Sequence, residues 1–123
     1  MVLMMLYSLE LPMPPTQNQK NKIGRNRFYK SDKTREYTKI VVDKIKELKL
    51  DKENISYKID LRLDLYAPTS RDYDIDNFQK ILFDALTASG FWIDDRLVYK
   101  MTVEKRCKVN GGKCHVQIDK YKG

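Results

Sequence analysis

Ile55-Ser56-Tyr57-Lys58-Ile59-Asp60-Leu61-Arg62-Leu63-Asp64-Leu65 alternates apolar and polar side chains without a break. A period of two puts Ile55, Tyr57, Ile59, Leu61, Leu63 and Leu65 on one face, with Ser56, Lys58, Asp60, Arg62 and Asp64 on the other. The segment therefore predicts a half-buried strand with one wet side. Ala67-Pro68-Thr69-Ser70 breaks it. Upstream, Tyr37, Ile40, Val41, Ile45 and Leu48 recur at helical spacing behind Ser31 as N-cap, which predicts a helix ending near Leu50. Leu3 to Leu11 reads as a first strand, closed by Pro12-Met13-Pro14-Pro15, which cannot sit in a ladder. Thr16 to Lys30 is polar, basic and aperiodic, and reads as a loop. Downstream, a second helix runs from about Asp76 to Ala88 and stops at Gly90, a natural residue for a left-handed helix end. Leu97, Tyr99, Met101 and Val103 then alternate as a strand that returns through an Asn110-Gly111 hairpin along Cys114, Val116 and Ile118. The order β-α-β-α-β-β predicts an α+β fold: a single small domain over 1–123, a mixed β-sheet with two helices packed against it.

The chain has 123 residues, the span of one domain, and 41% hydrophobic with 11% aromatic content fits a folded core. No run approaches the ~18 apolar residues that span a bilayer. The apolar start, Met1 to Leu11, lacks a cationic flank and a cleavage site and is interrupted by Ser8 and Glu10, so it is read as neither membrane span nor secretion signal. The expected setting is a reducing cytoplasm, with Cys107 and Cys114 as free thiols. A turn at Asn110-Gly111 would place those cysteines opposite one another, whereas a turn at Gly111-Gly112 would oppose Cys114 to Val109. Cys107 with Cys114-His115 lacks a fourth ligand at zinc spacing.

The formal charge of +7 is unevenly spread. Residues 20–49 carry eleven basic and four acidic side chains, and residues 96–123 carry eight and two. Between them, residues 71–95 hold six aspartates against Arg71 and Lys80. An acidic island in a cationic chain suits an enzyme that attracts a polyphosphate and cuts it at a carboxylate-bound metal. The ordinary alternative is that charge runs are solvated faces.

Asp72-Tyr73-Asp74-Ile75-Asp76-Asn77 opens like a calcium loop, but Asn77 stands where its glycine belongs and Phe83 where its closing glutamate belongs. An EF-hand is rejected. If residues 72–76 are extended, Asp72, Asp74 and Asp76 share a side. If Asp76 instead opens the helix, Lys80, Asp84 and Thr87 fall on its edge, while Phe78, Ile81, Leu82 and Ala85 form the buried stripe. Phe83 then lies among polar residues, as a subunit contact or a lid. Asp94-Asp95 could return towards the first acidic group if the following strand lies beside 55–65. Each feature also has a structural reading: a helix cap, a polar turn, a surface i,i+4 pair. Mg²⁺ prefers oxygen ligands and keeps waters, so two or three aspartates suffice and the single His115 is no obstacle. It does count against Ser-His and Cys-His nucleophilic schemes.

Asp74-Ile75-Asp76-Asn77-Phe78-Gln79-Lys80, Phe83-Asp84-Ala85-Leu86-Thr87 and Gly90-Phe91-Trp92-Ile93-Asp94-Asp95, with Leu11-Pro12-Met13-Pro14-Pro15-Thr16 after the first strand, resemble the RusA family of Holliday-junction resolvases. The resemblance implies a homodimeric, Mg²⁺-dependent endodeoxyribonuclease, with Mn²⁺ as a substitute, that makes paired symmetric nicks in four-way or branched DNA during recombination and repair. Carried over by position, it implies Asp74, Asp76 and Asp95 as acidic metal-binding residues, Lys80 as the essential lysine, and Asp94 as the accompanying acid. Family members often have a denser arginine run before the first aspartate. Here Ser70-Arg71-Asp72-Tyr73 holds one arginine, and Lys20, Lys22, Arg25, Arg27 and Lys30 with Arg71 are the expected DNA-binding residues. The setting implied is cytoplasmic and nucleoid-associated, with phages and prophages among the sources of such sequences. The rival readings are a non-catalytic DNA-binding protein with structural aspartates, and a metal-dependent hydrolase of small phosphate esters.

Overall fold

The alternating segment becomes the central strand of the sheet. In the computed structural model, which describes residues 6–16, 21–24, 27–30 and 32–123, the elements run β1 (Tyr7–Leu11), β2 (Asn21–Gly24), β3 (Arg27–Lys30), α1 (Asp32–Glu47), β4 (Ile59–Tyr66), α2 (Gln79–Ala88), a one-turn 3₁₀ helix (Asp95–Leu97), β5 (Val98–Lys105) and β6 (Lys113–Lys120). The four-stranded sheet has the order β1-β6-β4-β5. β6 is antiparallel to both β1 and β4, and β5 is parallel to β4, so the sheet is mixed and the fold α+β.

Two compact units interleave along the chain. Met1–Met13, Ser56–Asp72 and Asp94–Gly123 form a sheet unit; Pro14–Ile55 and Tyr73–Ile93 form a helical unit. In the sheet unit the period of two is realised. Ile59, Leu61, Leu63 and Leu65 are buried with Leu9, Leu11, Cys114, Val116 and Ile118, and register explains the grouping, since Leu63 faces Val116 and Leu61 faces Ile118. The opposite face is polar. There Asp64, buried despite its charge, accepts from Arg62 and from Arg106 Nε at 3.1 Å each, and both arginines also pair with Glu104. A buried carboxylate held by two guanidiniums is a satisfied one. Ser8 Oγ lies 2.6 Å from His115 Nε2 on the same sheet.

The helical unit has its own core: Thr34, Tyr37, Val41 and Ile45 from α1, with Ile81, Leu82, Phe83, Ala85 and Leu86 from α2 and Phe91-Trp92 beyond it. Ile40 and Leu48 of the expected α1 stripe are exposed instead. α1 ends with Lys49 at φ +62°, Leu50 N–H donating to Ile45 O and Lys49 N–H to Lys46 O, both at 3.0 Å. This is a Schellman end with a lysine where glycine is usual. α2 also ends on a left-handed residue, Gly90 at φ +82°, whose N–H donates to Thr87 O, while Phe91 N–H donates to Ser89 Oγ, both at 3.3 Å.

Several expectations need correction. The central strand starts at Ile59, not Ile55, because the Ile55 amide and carbonyl bond Phe91 O (3.0 Å) and Ile93 N (3.1 Å) in the helical unit. The segment read as a loop contains the β2–β3 hairpin, in which Ile23 faces Phe28; short strands of this length give too little periodicity to register in a basic stretch. The first strand is described from Tyr7, and the Ser31 cap lies outside the described residues. Asn110-Gly111 does turn, with Gly112 N–H donating to Val109 O at 2.8 Å and Gly111 at φ +83°. It joins no hairpin, because β5 and β6 flank β4 on opposite sides. The connection instead follows the end of β4 through Arg106 N–H to Leu65 O and Val109 N–H to Ala67 O. Neither cysteine register therefore applies: Cys114 is buried opposite Leu11 and Leu65, Cys107 is exposed, and both are free. Among the described residues no helix is long and apolar enough to cross a membrane.

Candidate active site

The helical unit presents its acidic residues on a turn just ahead of α2. Asn77 N–H donates to Asp74 O at 3.3 Å, closing residues 74–77, and α2 begins only at Gln79. Asp76 therefore lies in the turn and does not open the helix. The reason is local: Phe78, which precedes the helix, makes no side-chain cap, and its ring is buried against Tyr73 edge to face at 5.4 Å. Asp74 and Asp76 are exposed on either side of Ile75.

Gln79 braces this turn, a role that no sequence pattern marks. Its side chain is buried, Nε2 donates to Ile75 O at 2.5 Å, and Oε1 accepts from Phe78 N–H at 3.3 Å. One amide thus satisfies backbone groups on both sides of Asp76 and fixes the path between the two acids. Next along α2, Lys80 Nζ lies 3.1 Å from Asp84, which shares with it the helix edge the spacing predicted. Phe83 is not among the polar residues. It is 9% exposed and meets Trp92 edge to face at 5.4 Å. Trp92 Nε1 in turn donates to Thr87 Oγ1 at 2.7 Å. The helix pattern failed at Phe83 because Phe91-Trp92, from beyond the helix, cover that flank.

The sheet unit holds the second acidic group at the entrance to β5. Asp94 caps the 3₁₀ turn, accepting from Arg96 N–H at 2.9 Å and Arg96 Nε at 3.1 Å. The Arg96 backbone N–H, more than the nearby guanidinium charge, holds the Asp94 carboxyl below its usual range. Asp95 is the first residue of that turn, half-buried. β5 does lie beside β4, as the expected return required. Asp72 belongs to this unit, paired with Lys105 at 3.2 Å.

Of the expected DNA-binding residues, Arg71 is exposed, with its N–H on Thr69 Oγ1. Lys22 lies on β2 and Arg27 and Lys30 on β3, whereas Lys20 and Arg25 fall outside the described residues. Among the described residues no group of three or more His, Cys, Asp or Glu is gathered to hold a metal. The donor chemistry on each unit nonetheless fits a hard divalent ion: carboxylate oxygens next to solvent, suited to an ion that keeps several waters.

Aspartates on turns, flanked by lysine and arginine, are residue types suited to carboxylate-dependent phosphate-ester chemistry. The family model of Endodeoxyribonuclease RusA matches residues 12–119. The chain is 37% identical to a crossover junction endodeoxyribonuclease RusA of Escherichia coli O139:H28, 36% to that of Escherichia coli K12 and 35% to that of Enterobacteria phage 82. Each match covers 91% of this chain and 92% of the relative. The chain belongs to the RusA family.

Proposed function

We propose that this protein is a structure-selective endodeoxyribonuclease that resolves four-way DNA junctions by paired phosphodiester hydrolysis with Mg²⁺. What supports the reading most is a family match that runs through 74–95, where the acidic turn stands exposed and braced ahead of α2. In this reading Asp74, Asp76 and Asp95 hold the divalent ion, with Asp94 fixing the turn from which Asp95 projects. A bound Mg²⁺ would supply a water of lowered pKa and offset charge building on the phosphate. Lys80 meets a non-bridging phosphate oxygen as a point charge, and Asp84, 3.1 Å away, aims it. Gln79 keeps the Asp74–Asp76 spacing constant through the reaction.

Two cuts on a two-fold symmetric junction call for two sites, hence a homodimer. The basic residues of β2, β3 and Arg71 serve the phosphate backbone. The phage relative supports a phage or prophage setting, with the bacterial cytoplasm as the place of action. The test is cleavage of a synthetic four-way junction. Wild type with Mg²⁺ yields symmetric nicks, chelation stops them, and Asp74→Asn or Asp76→Asn abolishes cutting while junction binding persists. A wild type that binds junctions but never cuts them would instead make it a non-catalytic DNA-binding protein.

A further inference from the structure

At the end of the sheet where β4 and β5 begin and β6 finishes, tyrosines and lysines interleave, all within the sheet unit. Lys58 Nζ stands 4.7 Å above the Tyr99 ring, and Tyr99 meets Tyr121 at 5.5 Å with planes 40° apart. On the other face of the sheet, Lys120 Nζ lies 5.2 Å from the Tyr57 ring. Tyr121 N–H donates to Lys58 O at 2.9 Å, which fixes the chain after β6 alongside β4. The register explains how Tyr99 comes to be there. Ile59 faces Val98 but Asp60 faces Lys100, so Tyr99 is one residue too many for the ladder. Such a bulge re-aims a side chain, and bulges in parallel pairs are rare. The ring ends up 56% exposed on an edge strand, four residues after Asp95.

We infer that the Lys58–Tyr99–Tyr121 cluster is a stacking surface for an unstacked nucleobase at a DNA branch point, with Lys58 and Lys100 taking the adjacent phosphates. The inference rests on the DNA reading above and adds the feature of the substrate that is recognised. An ammonium over an exposed ring contributes only a few-fold in affinity. A base stacked on the same ring contributes roughly five- to a hundredfold. A base therefore displaces Lys58 from Tyr99, and the freed ammonium moves to a phosphate, where it gains more. Lysine is depleted at the centres of protein–protein interfaces, which argues against a protein as the occupant. Linear duplex stacks every internal base pair, whereas an open four-way junction exposes the faces of the pairs at its exchange point, so the cluster discriminates between them.

The test uses the full chain without divalent ion, binding a four-way junction labelled with 2-aminopurine at the exchange point and a linear duplex of the same sequence. Tyr99→Ala weakens junction binding about tenfold, leaves duplex binding within about twofold and removes the change in 2-aminopurine fluorescence, while Tyr99→Phe behaves as wild type. Lys58→Gln with Lys100→Gln keeps the rings and lowers the salt slope for both DNAs by about two. An unchanged junction affinity in Tyr99→Ala, the result if a protein occupies the surface, overturns the inference, as does an equal loss on duplex. Because no cutting is measured, these results are separable from the nuclease test: junction cleavage by wild type alongside unaltered binding by Tyr99→Ala removes this inference alone.

Discussion

Gln79 braces the acidic turn from a buried position. Its amide bonds Ile75 O and Phe78 N–H on either side of Asp76, and a buried amide left half-satisfied costs about 1–3 kcal/mol. Gln79→Glu keeps the shape but loses the donor, so it should lower junction cleavage by about tenfold or more and raise the Mg²⁺ concentration for half-maximal rate. A merely structural role would shift the melting temperature and leave the Mg²⁺ requirement unchanged. Asp94 supports a second residue-scale expectation. Its folded pKa is depressed, so its cap adds stability that is present above the ordinary carboxylate value near ~3.9 and is lost as pH falls through the lower folded value. The stability gap between wild type and Asp94→Ala should hold from neutral pH down to about 4 and close below it in pH-dependent denaturation.

At the scale of elements, the end of α2 is the most constrained point in the helical unit. Gly90 adopts φ +82°, and a Cβ there would lie 2.1 Å from Asp51 O. The Gly90 carbonyl also accepts from Asn54 N–H at 2.9 Å, and the next residues bond Ile55. Gly90→Ala combines left-handed backbone strain with a backbone collision, and should cost upwards of about 2 kcal/mol in chemical denaturation. Lys49 at the end of α1 has a similar φ, so Lys49→Gly should stabilise by a few tenths to about 1 kcal/mol. That glycine at 90 would close a helix was legible from position alone. That residues 51–55 would crowd against it was not, since nothing in the sequence relates segments some forty positions apart.

For the whole molecule, the uneven charge governs association. Residues 20–49 and 96–123 together carry most of the basic side chains, and in the proposed function a junction meets them through its phosphates. Junction affinity should fall linearly on a log–log plot against salt, with a slope steeper than about −4, measured by anisotropy with the metal left out. A slope near zero would contradict binding through phosphates. The fall should be as steep for linear duplex, since backbone contacts carry no structural selectivity.

Sequence alone determined the elements whose periodicity is long and regular: β4 from Ile59, α1, α2 and the alternating residues of β5 and β6. It also determined the acidic groups by residue type, a local property of the chain, and carried the resemblance to the family in the motifs of residues 74–95. Only the tertiary structure decided that β5 and β6 lie on opposite sides of β4, that Ile55 leaves the strand to pair with Trp92, that Phe83 is buried and that Gln79 holds the acidic turn. Each of these depends on which distant segment meets a backbone hydrogen-bonding group or covers an apolar side chain, and no short-range pattern encodes that choice.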